Sequence, residues 1–205
     1  MKTTDYWTED KDGYLERNQY LDPEGLKIFF DDALMTLAWG GEDDVKTVCV
    51  YGCNIGLNLT AINSVLRVEK LYGFDVNFDA VEIANEIEDV TAEYGNLLVP
   101  PSENKYDLVL TKGLLIHIDP EQLEIAYQNL HYMTNKYLLI CEYYNPTPVE
   151  VEYHGKSGLL FKRDFAGDML DKFPDLRLVD YGFRYHRDEY PQDDITWTLI
   201  KKETK

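Results

Sequence analysis

The sequence predicts an α/β fold, a mostly parallel sheet with helices on both faces. Three observations predict it. Short apolar runs rich in β-branched residues alternate with stretches of helical periodicity along nearly the whole 205 residues, the pattern of a sheet assembled from βαβ units. The first such run, TVCVY at 47–51, breaks into a glycine turn, and the segment LNLTAINSVL after it carries Ile62, Val65 and Leu66 at helical spacing. The chain closes on two strand-like runs joined by an acidic turn, with no helix between them, which reads as an antiparallel hairpin.

Each element has its own signal. Residues 1–22 are too aromatic for a disordered tail, with Tyr6, Trp7, Tyr14 and Tyr20, and are expected to fold over something. Asp22-Pro23-Glu24 supplies a cap, a proline at the first helical position and an early acid, opening a helix to about Ala38. Gly40 and Gly41 stop it, and the first strand follows. KLYGFD at 70–75 is a second strand, and Asn77 caps a helix expected to run to about Glu88. Between Asp89 and Asn104 there is room for a short third strand and a turn. YDLVLT at 106–111 is a clear fourth strand, and LLIHI leads into a helix started by Asp119-Pro120, with Leu123, Ala126, Tyr127 and Leu130 on one face. A fifth strand spans 136–142. Residues 143–162, with two prolines and two glycines, read as a long irregular loop of the kind that serves function. A helix over 163–173 and two strands, 176–185 and 195–201, complete a single domain spanning 1–205.

Composition narrows the partners. The formal charge is −18, and no basic block is present to neutralise a phosphate backbone, so nucleic acid is excluded as a partner. An acidic field favours a cationic ligand. No apolar run approaches a membrane span. The polar, acidic beginning of the chain resembles neither a signal nor a transit peptide, and a cytoplasmic location is expected. Cys49, Cys53 and Cys141 fit neither a zinc site nor a disulfide frame and are read as buried free thiols, and no repeated His/Asp spacing points to a metal. The sequence does not state the oligomeric state.

The turn GCNIG at 52–56 says which nucleotide. A dinucleotide fingerprint needs G-x-G-x-x-G, yet Asn54 stands at the second glycine position, and the Gly-Lys-Ser/Thr ending of a Walker loop is absent. Such a turn is poor for pyrophosphate. It suits a ligand whose only anion is a carboxylate, such as the methionine end of S-adenosylmethionine, met by free N–H groups at a helix start. Asp75, 23 residues beyond Gly52 and at the tip of the second strand, is placed to accept both ribose hydroxyls.

The order of strands and helices, ending in a hairpin, resembles the class I methyltransferase fold: a Rossmann-like, seven-stranded, mostly parallel sheet with the last strand inserted antiparallel. More narrowly, GYLERN, GCNIGLNL, TKGLLIHI, EYYNPTPVEVEYHG, LFKRDFAG and DYGFRYHRD resemble the pseudaminic acid biosynthesis-associated methylases. The resemblance implies S-adenosylmethionine as cofactor and S-adenosylhomocysteine as product. It places Gly52, Asn54 and Gly56 at the methionine end, Asp75 on the ribose, and Asn96 and Leu97 by the adenine. It sets Thr111, Lys112 and Gly113 opposite the methyl group, with Tyr14 and Arg17 closing over the cofactor. It further implies a small polar acceptor, an amino sugar or a nonulosonic-acid-related metabolite.

Displacement at an activated sulfonium needs alignment in a dry pocket above all, and an amine or hydroxyl acceptor must also lose a proton. His117, just past the fourth strand, and Glu142, at the end of the fifth, are the candidate bases or acceptor positioners. Tyr143, Tyr144 and Asn145 are candidates for an acceptor wall. Lys162, Arg163, and Arg184 or Arg187, are candidates to hold an anionic group on the acceptor, and His154 and His186 to contact it. Two other readings stand beside the methyltransferase: a cofactor-binding, non-catalytic scaffold of a biosynthetic complex, and a nicotinamide-dependent oxidoreductase, for which the glycine pattern is poor.

Overall fold

The computed structural model describes residues 6–8, 22–40, 44–101 and 103–203. Helix α1 (Pro23–Gly40) leads into strand β1 (Thr47–Tyr51), helix α2 (Leu57–Leu66), strand β2 (Lys70–Asp75), helix α3 (Phe78–Ala84) and strand β3 (Val90–Tyr94). Strand β4 (Tyr106–Lys112) runs into two 3-10 turns, Leu115–His117 and Pro120–Gln122, then helix α4 (Leu123–Met133) and strand β5 (Thr134–Glu142). Strands β6 (Val149–Tyr153) and β7 (Lys156–Lys162), helix α5 (Phe165–Lys172), and strands β8 (Leu176–Arg184) and β9 (Ile195–Lys202) follow.

The main sheet has seven strands in the order β3-β2-β1-β4-β5-β9-β8. β1 to β5 pair in parallel, and β9 enters between β5 and β8 antiparallel to both. Period-two alternation divides the core in two. Val48, Val50, Leu108, Leu110, Leu139 and Leu199 face α1 and α2, while Cys49, Val109, Leu138, Ile140 and Ile200 face α4 and α5. The three cysteines are free and buried. Among the described residues, no helix is long and apolar enough to cross a membrane, and no group of three or more His, Cys, Asp or Glu could hold a metal ion.

The helix starts follow their caps. Asp22 Oδ1 accepts the Glu24 N–H at 3.1 Å, and Asn77 Oδ1 accepts the Ala80 N–H at 3.1 Å. The helix after Asn77 ends at Ala84, short of Glu88, because Asn85 turns its amide into β3, donating to the Ala92 carbonyl and accepting from the Ala92 N–H.

One expectation is corrected. Residues 143–162 are not irregular throughout: 149–162 fold into the β6–β7 hairpin. Tyr153 pairs with Lys156 across a two-residue turn, His154 at φ +49° and Gly155 at φ +72°. Both turn residues have the positive φ of a tight hairpin turn, with His where Asn or Asp is usual. The alternation Val-Glu-Val-Glu-Tyr that builds β6 is interrupted by no proline.

Asp107 ties the far end of the sheet together. Its Oδ2 accepts the N–H groups of Lys46 and Thr47 at 2.9 and 3.3 Å, and its Oδ1 faces Lys136 Nζ at 3.2 Å. Burial alone would raise this carboxyl, but the donors outweigh it and hold it below the ordinary range. A depressed folded value stabilises above the unfolded value of 3.8 and is lost as pH falls through the folded one. Asp107→Asn is therefore expected to cost about 1–2 kcal/mol at pH 7. The gap between variant and wild-type urea midpoints should narrow on acidification below pH ~4.

Candidate functional site

The site lies at the carboxyl ends of the parallel strands, where the strand order reverses between β1 and β4, the place where open α/β sheets bind ligands. Two clefts open there and share Gly52, Asn54, Lys112, Gly113 and His117. They measure about 820 and 970 Å³ counting their open mouths.

The glycine turn forms the floor between them. The Gly52 and Cys53 N–H groups both donate to the Phe74 carbonyl, at 2.8 and 3.1 Å, which locks the turn to β2. Asn54 takes φ +48°, between Gly52 at +70° and Gly56 at +87°. Asn tolerates the left-handed region better than other side chains, and here its Oδ1 accepts the next N–H, of Ile55, at 2.7 Å. The asparagine thus occupies the central glycine position without straightening the turn. Gly56 is stricter, since a Cβ there would lie 2.5 Å from Ile87 Cδ1. Gly56→Ala is expected to lower stability by about 1–3 kcal/mol, read from the urea midpoint. Past Gly56 the first turn of α2 has no side-chain cap and no acidic residue. Its leading N–H groups are left for a carboxylate.

Asp75 faces this floor. Its Oδ2 accepts the Asn54 N–H at 2.8 Å and its Oδ1 the Asn77 N–H at 2.9 Å. Each oxygen keeps a lone pair for a ligand hydroxyl. Burial raises the carboxyl above its ordinary value, and the amide donors moderate the rise. The first cleft continues past Val76, Asn77 and Ala80 to Gly95, Asn96, Leu97 and Leu98. Asn96 shapes this end by accepting the Leu98 N–H at 2.9 Å, and Asn129 anchors it by donating to the Leu97 carbonyl at 2.6 Å. The result is a slot with an acid beside the glycine turn and an apolar end at Leu97 and Leu98, while the uncapped start of α2 lines the second cleft.

The second cleft adds Asn58 from α2, Tyr143 just past β5, Tyr153 and Leu160 from the hairpin, and Gln192, Asp193 and Ile195 from the turn before β9 and its first residue. His117 stands between the clefts, its ring 4.4 Å from Trp7 and 5.3 Å from Tyr153, centroid to centroid. Its Nδ1 lies 2.7 Å from the Leu159 carbonyl, which can only accept, so Nδ1 carries the proton and Nε2 the lone pair. Burial pulls its pKa down to about 4, which keeps the ring neutral at pH 7.

The structure separates the residues singled out in the sequence. Gly52, Asn54, Asp75, Asn96, Leu97, Lys112, Gly113 and His117 line the first cleft. Gly56 lines neither cleft and packs against Ile87 and Ala84, and Thr111 is buried near the end of β4. Tyr143 lines the second cleft, with Lys162 Nζ 4.9 Å from its ring centre. Tyr14 and Arg17 lie outside the described residues.

Others stand apart. Glu142 is buried and lines neither of these clefts; its Oε1 accepts the N–H groups of Leu114 and Leu115, both at 3.1 Å, and its Oε2 that of Ile116 at 3.3 Å. Burial pushes its carboxyl up to about 7 against the pull of the three amides. Through these three bonds it holds the loop after β4 in place. Tyr144 and Arg163 line a small separate hollow beyond β5, where Arg163 pairs with Asp168 at 3.4 Å. Asn145 donates to the Thr147 carbonyl, and His186 Nδ1 pairs with Asp194 at 2.8 Å. Arg184 is taken by Asp32 and Asp188. The local partners are what the sequence could not show. Conversely Trp7, Asn58, Tyr153 and Asp193 line the clefts without having been singled out for them. Only Trp7, within an aromatic N-terminal segment, carried a sequence signal.

No protein-family model and no curated protein sequence matches the chain. Solved structures do. A Burkholderia thailandensis 1,6-didemethyltoxoflavin-N1-methyltransferase, bound to 1,6-didemethyltoxoflavin and S-adenosylhomocysteine, matches with a TM-score of 0.69 at 12% identity, over 92% of this chain and 83% of that one. The plantazolicin methyltransferase BpumL, in complex with S-adenosylhomocysteine, matches with a TM-score of 0.66 at 14% identity, over 98% and 94%. The N-methyltransferase NodS from Bradyrhizobium japonicum WM9, also with S-adenosylhomocysteine, matches with a TM-score of 0.66 at 13% identity, over 96% and 100%. Such identities carry the architecture and nothing finer. The strand order, the antiparallel β9 and these likenesses agree: the chain has the Rossmann-like class I methyltransferase fold.

Proposed function

We propose that the protein is an S-adenosylmethionine-dependent methyltransferase acting on a small polar acceptor. The observation that carries this reading is Asp75, held by two backbone amides beside a left-handed glycine turn at the switch point of the sheet. The residues present fit the cofactor. The α2 N-terminus and the 52–56 turn would hold its carboxylate, Asp75 its ribose hydroxyls, and Asn96 to Leu98 its adenine. When bound, the cofactor supplies a methyl group on an activated sulfonium. A nicotinamide dinucleotide fits less well, because the turn carries Asn54, and its Oδ1, where a pyrophosphate needs bare backbone.

The chain's own residues provide alignment and exclude water. Trp7 covers the first cleft, which supports reading residues 1–22 as a cover over the cofactor. The β6–β7 hairpin gives Tyr153 and Leu160 to the acceptor side. His117, neutral and with Nε2 as acceptor, orients an O–H or N–H of the acceptor; with a pKa of about 4 it holds a proton too weakly to serve chiefly as the base. The likeness to the pseudaminic acid-associated methylases supports an amino sugar or a nonulosonic-acid-related acceptor and a cytoplasmic location.

The test is release of S-adenosylhomocysteine from S-adenosylmethionine with a panel of amino sugars and nonulosonic acids. Acceptor-dependent release is expected, and His117→Ala should lower kcat at least tenfold, with S-adenosylhomocysteine affinity within about threefold of wild type. Cofactor binding with no acceptor-dependent release, and indifference to His117→Ala, would favour the scaffold.

A further inference from the structure

Two basic side chains near the carboxyl end of the sheet are already neutralised. Arg163 pairs with Asp168, and Arg184 with Asp32 and Asp188. Lys112 differs. It closes β4, lines both clefts, and its Nζ lies 5.5 Å from the Phe29 ring centre, over the face of a buried aromatic. Among the described residues it forms no ion pair, although the chain carries 38 acidic residues against 20 lysines and arginines. Asp193 and Glu142 act on it only at longer range. Glu142 is committed to three backbone amides, and Asp193 accepts the Tyr143 hydroxyl at 3.3 Å. A second lysine, Lys162, lies over Tyr143, which lines the second cleft, and likewise forms no ion pair among the described residues.

A cation lodged in a partly apolar cleft is costly without a counter-charge. Cation–π contact returns only part of that cost. The cofactor's sulfonium cannot provide the missing charge, since both are positive, and its one carboxylate is already assigned to the N–H groups at the start of α2. We propose that Lys112 is an anchor for an anionic group, a carboxylate or a phosphate, on the methyl acceptor, with Lys162 as a second cation over Tyr143. This rests on the methyltransferase reading and adds to it the substrate class: an acceptor bearing a negative charge. An anion there would also screen Lys112 from the sulfonium in the neighbouring cleft. Lys112, placed by resemblance beside the cofactor's methyl group, then belongs functionally to the acceptor.

The experiment is an amide NMR titration of the full chain saturated with S-adenosylhomocysteine, using inorganic phosphate as the probe and chloride at matched ionic strength as the reference. Phosphate is expected to bind in the millimolar range and to shift the Gly113 and Tyr143 amides. With each variant saturated with S-adenosylhomocysteine, Lys112→Met should weaken phosphate binding at least tenfold and Lys112→Arg should keep it within about threefold. If the protein binds S-adenosylhomocysteine but phosphate leaves Gly113 and Tyr143 unmoved, or binds Lys112→Met as well as wild type, the anchor is refuted while the cofactor reading stands. Failure to bind S-adenosylhomocysteine at all would remove the cofactor reading and the anchor with it.

Discussion

Replacing Glu142 with alanine is expected to cost about 3 kcal/mol or more of folding stability, because it strips the acceptor from three backbone N–H groups at once. Leu115 and Ile116 are buried, so water cannot readily replace the carboxylate there. Glu142→Gln keeps one oxygen able to serve Leu114 and Leu115 but turns an amide donor toward Ile116, and should lose less than half as much. The same loop carries Leu114, His117 and Ile118 into the first cleft. Surviving Glu142→Ala protein should therefore also bind ligand there more weakly. Urea unfolding followed by circular dichroism measures the first effect, and a loss below about 1 kcal/mol would contradict the assignment of Glu142 as the holder of this loop.

Asp75→Ala is expected to weaken S-adenosylhomocysteine binding by roughly a hundredfold or more, the worth of two hydrogen bonds from ribose hydroxyls to a charged acceptor. Part of the loss comes through the turn, because the Asn54 and Asn77 amides lose their acceptor as well. Asp75→Asn retains one acceptor oxygen and should lose about tenfold. Burial raises the Asp75 carboxyl, so it protonates at a higher pH than an ordinary aspartate. Affinity should accordingly fall on acidification, starting above the ordinary value of 3.8, and the Asn variant should lack that dependence. Unchanged affinity in Asp75→Ala, with the variant folded, would remove the ribose assignment.

Much of the fold and of the first cleft's geometry was legible in the sequence, because both depend on short-range signals. The βαβ units announce themselves by alternation, and Asp22 and Asn77 cap as their positions predict. The 52–56 turn requires left-handed residues at Gly52 and Gly56, and Asn54 is one of the few side chains able to join them. The acceptor side was less legible, because a charged residue's role depends on which partner reaches it first. Glu142 and Arg163 both read as charges free to meet the acceptor, yet one meets three amides and the other Asp168. Among the described residues, Lys112 has no such partner. The 143–162 segment was obscured by its prolines and glycines, although its hairpin turn rests on a His154-Gly155 pair with positive φ.

The most direct test of the central claim is calorimetric titration of the purified wild-type protein with S-adenosylhomocysteine, beside NAD and NADP under the same conditions. One-site binding of S-adenosylhomocysteine in the micromolar range, with no measurable heat from either dinucleotide, is the result expected of a glycine turn with Asn54 at its centre and Asp75 beside it. Tighter binding of NAD or NADP, or no binding of S-adenosylhomocysteine, would contradict it.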